Sequence, residues 1–363
     1  MEPSQVRWWF RLSKLELSPR RAIDLVARFG SPEAVFSASE KDLRSVESIT
    51  DRAVTRVLSP EPPDLDKDLD ALESSDIEMF SVQDDDYPAN LRQIHDPPVV
   101  LYVRGELREP DRFSVAIVGS RRASIYGKSM TERIAKDLCN RGICIVSGGA
   151  RGIDAAAHKG ALSCGGRTVA VLGCGIDIAY PSEHKELYAQ IAESGAVVSE
   201  FPPGTRPDGW RFPARNRIIS GLAGSVLVVQ APSDSGALIT AKFAAEQGRS
   251  IYALPGNVDD IRNEGSHALI RDGAVLVTCA EDILSELGIG ADQMRMPQLS
   301  LAFESLSPDE RKLVEILSLQ PKHVDQIIQE SGFPVPQVSG MMTILEMKGI
   351  VKRVPGNAYV RAL

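Results

Sequence analysis

The sequence is poor in the residues and patterns that mark several common classes of protein. Its five cysteines are odd in number and never form a C-x-x-C pair, which argues against a disulfide framework and a cysteine-rich zinc site. No apolar run approaches the roughly 18 residues of a membrane helix. The start, MEPSQVRWWF, carries Glu2 and no long apolar core, so we expect no signal peptide. The five histidines lack metal-ligand spacing. These absences predict a cytoplasmic protein with reduced thiols and no metal.

The sequence also lacks the motifs of several enzyme classes. G-x-S-x-G, H-E-x-x-H and G-x-x-x-x-G-K-[ST] do not occur. The dinucleotide fingerprint G-x-G-x-x-G is missing, and so is the acidic residue that would bind a ribose at the end of the next strand. Hydride transfer and these hydrolase chemistries are therefore not predicted, and we expect no cofactor.

The composition is that of a globular protein, with 43% hydrophobic and 25% charged residues among 363. The net charge is −8, which by itself disfavours binding to a polyanion. Residues 111–224, however, contain 15 basic and 10 acidic side chains, a local charge of +5. Such a basic stretch can attract a polyanion although the rest of the chain is acidic.

The pattern of apolar residues predicts three domains. Residues 1–70 form an all-helical module resembling a sterile-alpha-motif or helix-hairpin-helix fold, and their Pro- and Asp-rich end, 59–70, is predicted as a linker. Residues 76–288 alternate short apolar strands with amphipathic helices, which predicts an α/β, Rossmann-like, doubly wound and mostly parallel sheet. After a loop-like stretch at 289–305, residues 305–363 predict three helices and a hairpin turning at 355–357, the winged-helix arrangement.

Two segments at predicted strand ends suit phosphate binding. Open α/β sheets bind ligands at the carboxyl ends of their strands. Gly119-Ser120-Arg121-Arg122 follows the first strand of the alternating region, and Ser147-Gly148-Gly149-Ala150-Arg151-Gly152 leads from the second strand into a helix. Backbone N–H groups at a helix start favour an anion. A tight turn without a ligand is the alternative, but two such turns that each carry an arginine favour phosphate.

A third segment combines aromatic rings with arginines. It runs from Phe201 through Arg206, Trp210 and Phe212 to the pair Arg215 and Arg217. Arginines pair with phosphates, and aromatic rings stack on bases without choosing a sequence. Core packing is the alternative for the two phenylalanines, and a structural salt bridge is the alternative for one arginine of the pair.

These motifs resemble a known family. AIVGSRRASIYG, SGGARGIDAAAHKGAL, SEFPPGTRP, FPARNRIISGL and SGALITAKFAAEQGR occur in order and are similar to the DNA-processing protein A family, also called Smf. The resemblance covers about residues 85–290. It implies a Rossmann-like domain that binds single-stranded DNA, protects it in natural transformation, assists loading of the recombinase RecA, dimerises and has no enzymatic activity.

The resemblance also implies DNA-binding residues. Arg121, with Gly119 and Ser120, matches a DNA-contacting arginine, and Lys185 falls near a basic position. The other matched residues are the turn glycines and the FP-x-RNR motif, namely Gly148, Gly149, Gly152, Phe212, Arg215, Asn216 and Arg217. From the residues alone we add Arg151, Arg206 and Trp210.

Two other functions stay open at this point. A phosphoribohydrolase-like enzyme acting on nucleoside monophosphates would use a similar glycine-rich turn, with Asp154 or Glu200 as its acid. Asp154 and His158, four residues apart, could form an acid–base pair. A winged-helix transcription factor is the third possibility, although the third helix of the tail carries only Lys348 as a basic residue.

Overall fold

A computed structural model describes residues 3–288, 306–317, 322–347, 350–354, 356 and 358–361. The chain divides into two compact units, Met1–Met294 and Arg295–Leu363. Among the described residues, no helix combines the length and the apolar character needed to cross a membrane. The predicted loop 289–305, Lys348, and the turn residues Pro355 and Asn357 lie outside the described residues.

The first unit begins with short helices that form the predicted helical module. They are α1 (Pro3–Lys14), α2 (Pro19–Phe29), α3 (Pro32–Ser37), α4 (Glu40–Arg44), α5 (Asp51–Val57) and α6 (Leu65–Glu73). Ser31, Ser39 and Thr50 cap three of them by accepting a backbone N–H. The module packs on the sheet, where the hydroxyls of Ser13 and Tyr102 lie 2.7 Å apart.

The predicted linker 59–70 is wrong in its second half, because α6 begins at Leu65. Leu65, Leu69 and Leu72 are buried and recur at helical spacing. The acidic residues between them lie toward solvent. Proline and aspartate are typical of loops, and their high content led to the prediction of a linker where the chain forms an amphipathic helix. The domain boundaries 1–70, 76–288 and 305–363 stay a prediction.

A nine-stranded sheet follows. Its strands are β1 (Ile77–Ser81), β2 (Val100–Gly105), β3 (Ser114–Val118), β4 (Cys144–Ser147), β5 (Thr168–Val171), β6 (Ala196–Ser199), β7 (Ser225–Val228), β8 (Ser250–Ala253) and β9 (Val275–Leu276). The strand order is β1-β2-β6-β5-β4-β3-β7-β8-β9. Strands β3 to β9 are parallel, whereas β2 is antiparallel to both β1 and β6. The predicted doubly wound, mostly parallel sheet is confirmed.

Helices cover both faces of this sheet. They are α7 (Ala89–Arg92), α8 (Ile125–Cys139), α9 (Ile153–Leu162), α10 (Lys185–Ser194), α11 (Arg211–Leu222), α12 (Gly236–Glu246), α13 (Glu264–Arg271) and α14 (Ala280–Glu286). Alternate residues of β3 point to opposite cores: Val115 and Ile117 pack with α8 and α9, while Ala116 and Val118 pack with α11 and α12. The near-continuous β-branched strands of the sequence follow from this burial on both faces.

The sheet has a topological switch point at β3. Its neighbour on one side is β4, the next strand in the chain, and its neighbour on the other side is β7. The chain leaves β3 toward β4 and leaves β7 toward β8, in opposite directions along the sheet. A crevice therefore opens between the carboxyl ends of β3 and β7. The residues after β3 and β7 therefore define the first place to look for a ligand.

The second unit is a winged helix. Its helices are α15 (Pro308–Ile316), α16 (Val324–Ser331) and α17 (Val335–Met347), and its strands are β10 (Lys322–His323), β11 (Val351–Val354) and β12 (Ala358–Arg361). The strands form a small sheet in the order β10-β12-β11, so the predicted hairpin gains a third strand. Leu313, Ile327, Val338 and Leu345 contribute to its buried core. Ser307 and Glu310 form a capping box at the start of α15.

Candidate nucleic-acid interface

A cleft of about 1040 Å³ opens at the carboxyl edge of the sheet, at the switch point. We call it the switch-point cleft. Its lining combines the loop after β3, the loop after β7 and the first turns of α11 and α12, and includes Arg121, Arg122, Phe212, Ser235 and Gly236. The sequence placed Arg121 and Phe212 on separate segments 91 positions apart, and the fold brings both to this cleft.

Arg121 and Arg122 supply positive charge to the cleft. Both side chains are exposed. Across the part of the chain that the structure describes, neither guanidinium has a carboxylate within 4 Å. The guanidinium carbon of Arg121 lies 5.4 Å from the centre of the Phe212 ring. An arginine without a protein carboxylate can donate hydrogen bonds to a phosphate, and its position over a ring restrains it at little cost.

Phe212 and Tyr180 form an aromatic surface beside these arginines. Their ring centres are 5.2 Å apart and their planes are tilted by 32°. Tyr180 is exposed and Phe212 is partly buried, and both line the cleft. Aromatic rings of this kind stack on nucleobases. Sequence reasoning missed Tyr180 and Arg122; the Tyr-Pro step after β5 and the second arginine of the pair were the available signals.

The loop that carries Arg121 is held by backbone bonds on both sides. The Ser120 N–H donates to Gln230 O at 2.6 Å, and the Ile153 N–H donates to Ser120 O at 3.2 Å. Gly152 has a φ of +81°, and a Cβ there would lie 2.8 Å from the Arg121 carbonyl carbon. Only glycine fits this close approach without strain. The role of Gly152 is thus to let the turn before α9 support the Arg121 loop.

The glycine turn itself offers less to a phosphate than the sequence suggested. Gly148 and Gly149 are buried. The Ala150 N–H donates to Asp154 Oδ2 at 3.3 Å, and the Ile153 N–H is bonded to Ser120. The protein's own Asp154 carboxylate therefore occupies the anion position at this helix start. Gly148 lines a small pocket with Arg121 and Phe212, and contact of Gly148 and Gly149 with a ligand stays a prediction.

Arg215 lies against this turn, at the floor of the cleft. Its side chain is 3% exposed. Nη1 donates to Gly148 O at 2.7 Å and also to Val171 O. Burial lowers the pKa of Arg215, while the nearby Asp154 carboxylate opposes that shift. Burial likewise raises the pKa of Asp154 against the attraction of Arg215. Arg215 is committed mainly to the protein and supports the floor of the cleft.

Arg217 does not face the switch-point cleft. Its side chain is 4% exposed, and its guanidinium contacts Glu200 at 2.6 Å and Asp96 at 3.0 Å. Two carboxylates already take up its donors, which disfavours a DNA contact at Arg217; that contact stays a prediction. The alternative of a structural salt bridge for one of the two arginines is confirmed at this position. Asn216, between them, lines the cleft and donates to Gly236 O at 3.2 Å.

Trp210 faces a different space. It is 56% exposed and lines a second cleft, of about 870 Å³, between the helical module and the loop after β6. Its ring centre lies 6.3 Å from that of Phe201 and 5.1 Å from the guanidinium carbon of Arg211. Arg211 in turn reaches Glu16 of the module at 3.0 Å. Trp210 and Phe212 are only two positions apart, yet they line different clefts.

The remaining predicted cations are exposed but lie outside the lining of the switch-point cleft. They are Arg151, Lys185 and Arg206. Arg151 pairs with Glu183, and both groups are largely open to solvent, so the pair is a weak one. The structure brings together Arg121, Phe212, Arg215 and Asn216. Arg151 lines a small pocket beside them, and Lys185 and Arg206 lie at the periphery.

The predicted acid–base pair does not form. His158 is buried, and its Nδ1 lies 2.7 Å from Thr168 Oγ1 rather than near a carboxylate. Burial lowers the pKa of His158 to about 3, so the ring is neutral at physiological pH. Within the described ranges, no group of three or more His, Cys, Asp and Glu side chains is arranged to hold a metal.

A doubly wound domain with exposed arginines and aromatic rings in its switch-point cleft, followed by a winged helix, defines a nucleic-acid-binding class of protein. Residues 78–288 match the family model described as DNA recombination-mediator protein A, and residues 298–357 match the DprA winged helix domain. The chain belongs to the DNA recombination-mediator protein A family. The resemblance found in the sequence motifs is confirmed.

Relatives support this assignment over most of the chain. Protein Smf of Escherichia coli is 40% identical over 322 residues, which cover 86% of this chain and 85% of that protein. The structure of DNA processing protein A from Streptococcus pneumoniae is similar with a TM-score of 0.68 and 38% identity, covering 76% of this chain and 96% of that one. A structure from Helicobacter pylori, described by its single-stranded DNA binding mode, has a TM-score of 0.53 and 29% identity, covering 59% and 96%.

Proposed function

We propose that this protein binds single-stranded DNA in the switch-point cleft and acts in the processing of incoming DNA during natural transformation. The observation that carries the proposal is the pair Arg121 and Arg122, which are exposed beside the rings of Phe212 and Tyr180 and have no carboxylate partner among the described residues. Phosphates would bind the arginines, and bases would stack on the rings. Membership of the family and the DNA-binding mode of the Helicobacter pylori relative support the same function.

A sequence-tolerant mode of binding follows from this chemistry. The cleft offers cations and ring faces, which contact phosphates and any base, respectively. Duplex DNA keeps its bases stacked inside the helix, so it cannot use the rings. We therefore propose a preference for single strands over duplexes and little preference among bases.

The experiment is a fluorescence anisotropy titration with a thymine homopolymer at several salt concentrations, with a duplex of equal length as competitor. Each phosphate neutralised on a single strand contributes a slope of about −0.7 to the dependence of log K on log salt. We expect a clear negative slope and weak competition by the duplex. Binding that does not change with salt, or a duplex that competes equally well, would contradict the proposal.

The same cleft argues against the phosphoribohydrolase-like alternative. Glu200 is already paired with Arg217, and Asp154 is buried against Arg215 with its Oδ2 bonded to a backbone N–H. Neither carboxylate is placed to act on a ribose. We infer that the protein is not an enzyme of this kind. Incubation with nucleoside monophosphates should release no free base, and detection of free base by chromatography would reverse that inference.

We also propose that two copies of the chain associate through the β8–β9 end of the sheet. Val258 is 90% exposed and Ile261 is 65% exposed in the segment after β8, and Leu276 is exposed on the short end strand β9. A second copy would cover these apolar groups. Sedimentation should give a dimer for the wild type and a monomer for Ile261→Asp. A wild type that stays monomeric would refute the dimer.

The family resemblance suggests a partner as well. We propose that the DNA-bound protein, in the cytoplasm, assists loading of the recombinase RecA onto the strand. Filament assembly by RecA on precoated single strands should be faster with the wild type than with Arg121→Gln, which should keep the fold and loses one of the two exposed cleft charges. Equal assembly rates would contradict the proposal.

A further inference from the structure

Two cysteines lie at the C-terminal ends of neighbouring helices, at the edge of the sheet opposite the switch-point cleft. Cys139 is the last residue of α8, and Cys164 follows α9 by two positions. The two helices pack against each other, and both begin next to the cleft, at Ile125 and Ile153. Because they run in the same direction, their C-terminal ends lie together as well.

The two thiols lie close together. Cys164 Sγ donates to Lys136 O of α8 at 3.8 Å, one turn before Cys139, and Cys139 Sγ donates to Arg167 O at 3.7 Å, three positions after Cys164. Cys139 is buried, whereas Cys164 is only half-buried and is therefore open to a small reagent. Gly166 lies beside them: a Cβ at that position would fall 2.6 Å from Cys139 Sγ. Glycine thus leaves room for the Cys139 side chain beside the segment that carries Cys164.

The environment makes Cys164 the more reactive thiol. The neighbouring Cys139 thiol, helped by the Gly166 N–H and the charge of Lys136, lowers the pKa of Cys164. The Cys164 thiol and burial raise the pKa of Cys139. Burial raises the pKa of Cys279, the other half-buried cysteine. The thiolate is the nucleophilic form of cysteine, so the surroundings favour attack by Cys164 with Cys139 as its neighbouring thiol.

We propose that Cys139 and Cys164 form a redox-active dithiol, which hydroperoxides oxidise to an intramolecular disulfide. The Cys164 thiolate attacks the hydroperoxide, the O–O bond breaks, and an alcohol leaves after taking a proton, so that Cys164 becomes a sulfenic acid. The sulfur of Cys139 then attacks Cys164 Sγ and the S–O bond breaks. The proton of Cys139 leaves with the hydroxide as water. The two sulfurs lose two electrons in total, and the hydroperoxide gains them.

Such a pair differs from a structural disulfide. The contact joins two helix ends inside one compact unit, and both cysteines are free thiols in the reduced protein. Cytosolic disulfides are mostly transient and redox-sensing. The disulfide would tie α8 to α9 about 22 Å from the cleft, at 1.5 Å per residue over the 15 residues of α8. It should therefore raise thermal stability more than it changes DNA binding.

The experiment treats the reduced full-length protein with cumene hydroperoxide, blocks remaining thiols with N-ethylmaleimide and analyses tryptic peptides by mass spectrometry. Trypsin separates the relevant cysteines, because Cys139 falls in residues 137–141, Cys144 in 142–151 and Cys164 in 160–167. We expect the first and third peptides to be joined by a bond that dithiothreitol breaks. We also expect a higher thermal transition for the oxidised protein, reversed on reduction.

Single substitutions separate the steps. Cys164→Ser should abolish the cross-link, whereas Cys139→Ser should leave a sulfenic acid at Cys164 that dimedone traps. Cys279→Ser is the matched control for a half-buried cysteine and should leave the cross-link unchanged. In the wild type at neutral pH, Cys164 should react with maleimide faster than Cys279, since its larger thiolate fraction outweighs its lower intrinsic nucleophilicity. Oxidation of Cys279 before Cys164, or unlinked peptides after full oxidation, would overturn the proposal.

Discussion

Replacement of Arg121 by glutamine tests the switch-point cleft most directly. The substitution removes the positive charge but keeps much of the length of the side chain. Among the described residues the guanidinium of Arg121 forms no ion pair, and it lies 5.4 Å from the centre of the Phe212 ring. Its loss should therefore cost the folded protein little, so the effect should fall on binding.

The magnitude follows from the contact that Arg121 would make with a phosphate. A hydrogen bond to a charged group contributes about 1.5–3 kcal/mol. At about 1.4 kcal/mol per decade, Arg121→Gln should weaken binding to a thymine homopolymer by about 10- to 140-fold. Loss of one phosphate contact should also reduce the salt slope by about 0.7. Anisotropy titrations of both proteins over a range of salt concentrations measure both quantities.

Arg217→Gln is the matched control, because it removes the same charge from a buried site. It would leave Glu200 and Asp96 without their cation. Breaking a buried ion pair from one side typically costs about 3–5 kcal/mol, so this variant should lose unfolding free energy in urea. Arg121→Gln should thus lose DNA affinity with little change in stability, whereas Arg217→Gln should mainly lose free energy of unfolding. If Arg121→Gln binds with wild-type affinity and an unchanged salt slope, the cleft is not the DNA site.

Four further outcomes are expected. Gly152→Ala should destabilise the protein by about 1–3 kcal/mol in urea, since a side chain at this positive φ crowds the Ser120 loop, and it should also weaken DNA binding. His158 binds a proton more weakly in the folded state than in the unfolded state. Its contribution to the free energy of unfolding is therefore complete above about pH 6.5 and falls toward pH 3 by up to about 1.4 kcal/mol per pH unit. His158→Gln should flatten this part of the profile of unfolding free energy against pH. Trp210 lies outside the switch-point cleft, so Trp210→Ala should leave homopolymer affinity nearly unchanged; a loss of about one to two decades, the worth of a stacked base, would extend the DNA site to the second cleft. Deletion of residues 305–363 should leave single-strand binding largely intact, and complete loss would move the main site to the winged helix.

The alternating strands and helices could be predicted from the sequence because they depend on local periodicity. A parallel strand buried on both faces must be apolar along its whole length, as Val115–Val118 is, and this pattern does not depend on the rest of the chain. Arg121 was predicted for a similar reason: it directly follows a strand, and strand ends mark the ligand edge of such sheets. Helix α6 was missed because its buried leucines are separated by acidic residues and preceded by prolines.

The environment of each arginine was decided only by the tertiary structure. Arg215 and Arg217 are two positions apart in one motif, yet one lies against Gly148 and the other lies between Glu200 and Asp96. A charged side chain binds a ligand only where the protein does not already neutralise it, and the neutralising groups here are distant in sequence. Gly148 is buried for the same kind of reason, because Arg215 and Asp154 fill the space beside it. Local sequence states which groups are present, whereas burial and pairing depend on long-range packing that no short motif contains.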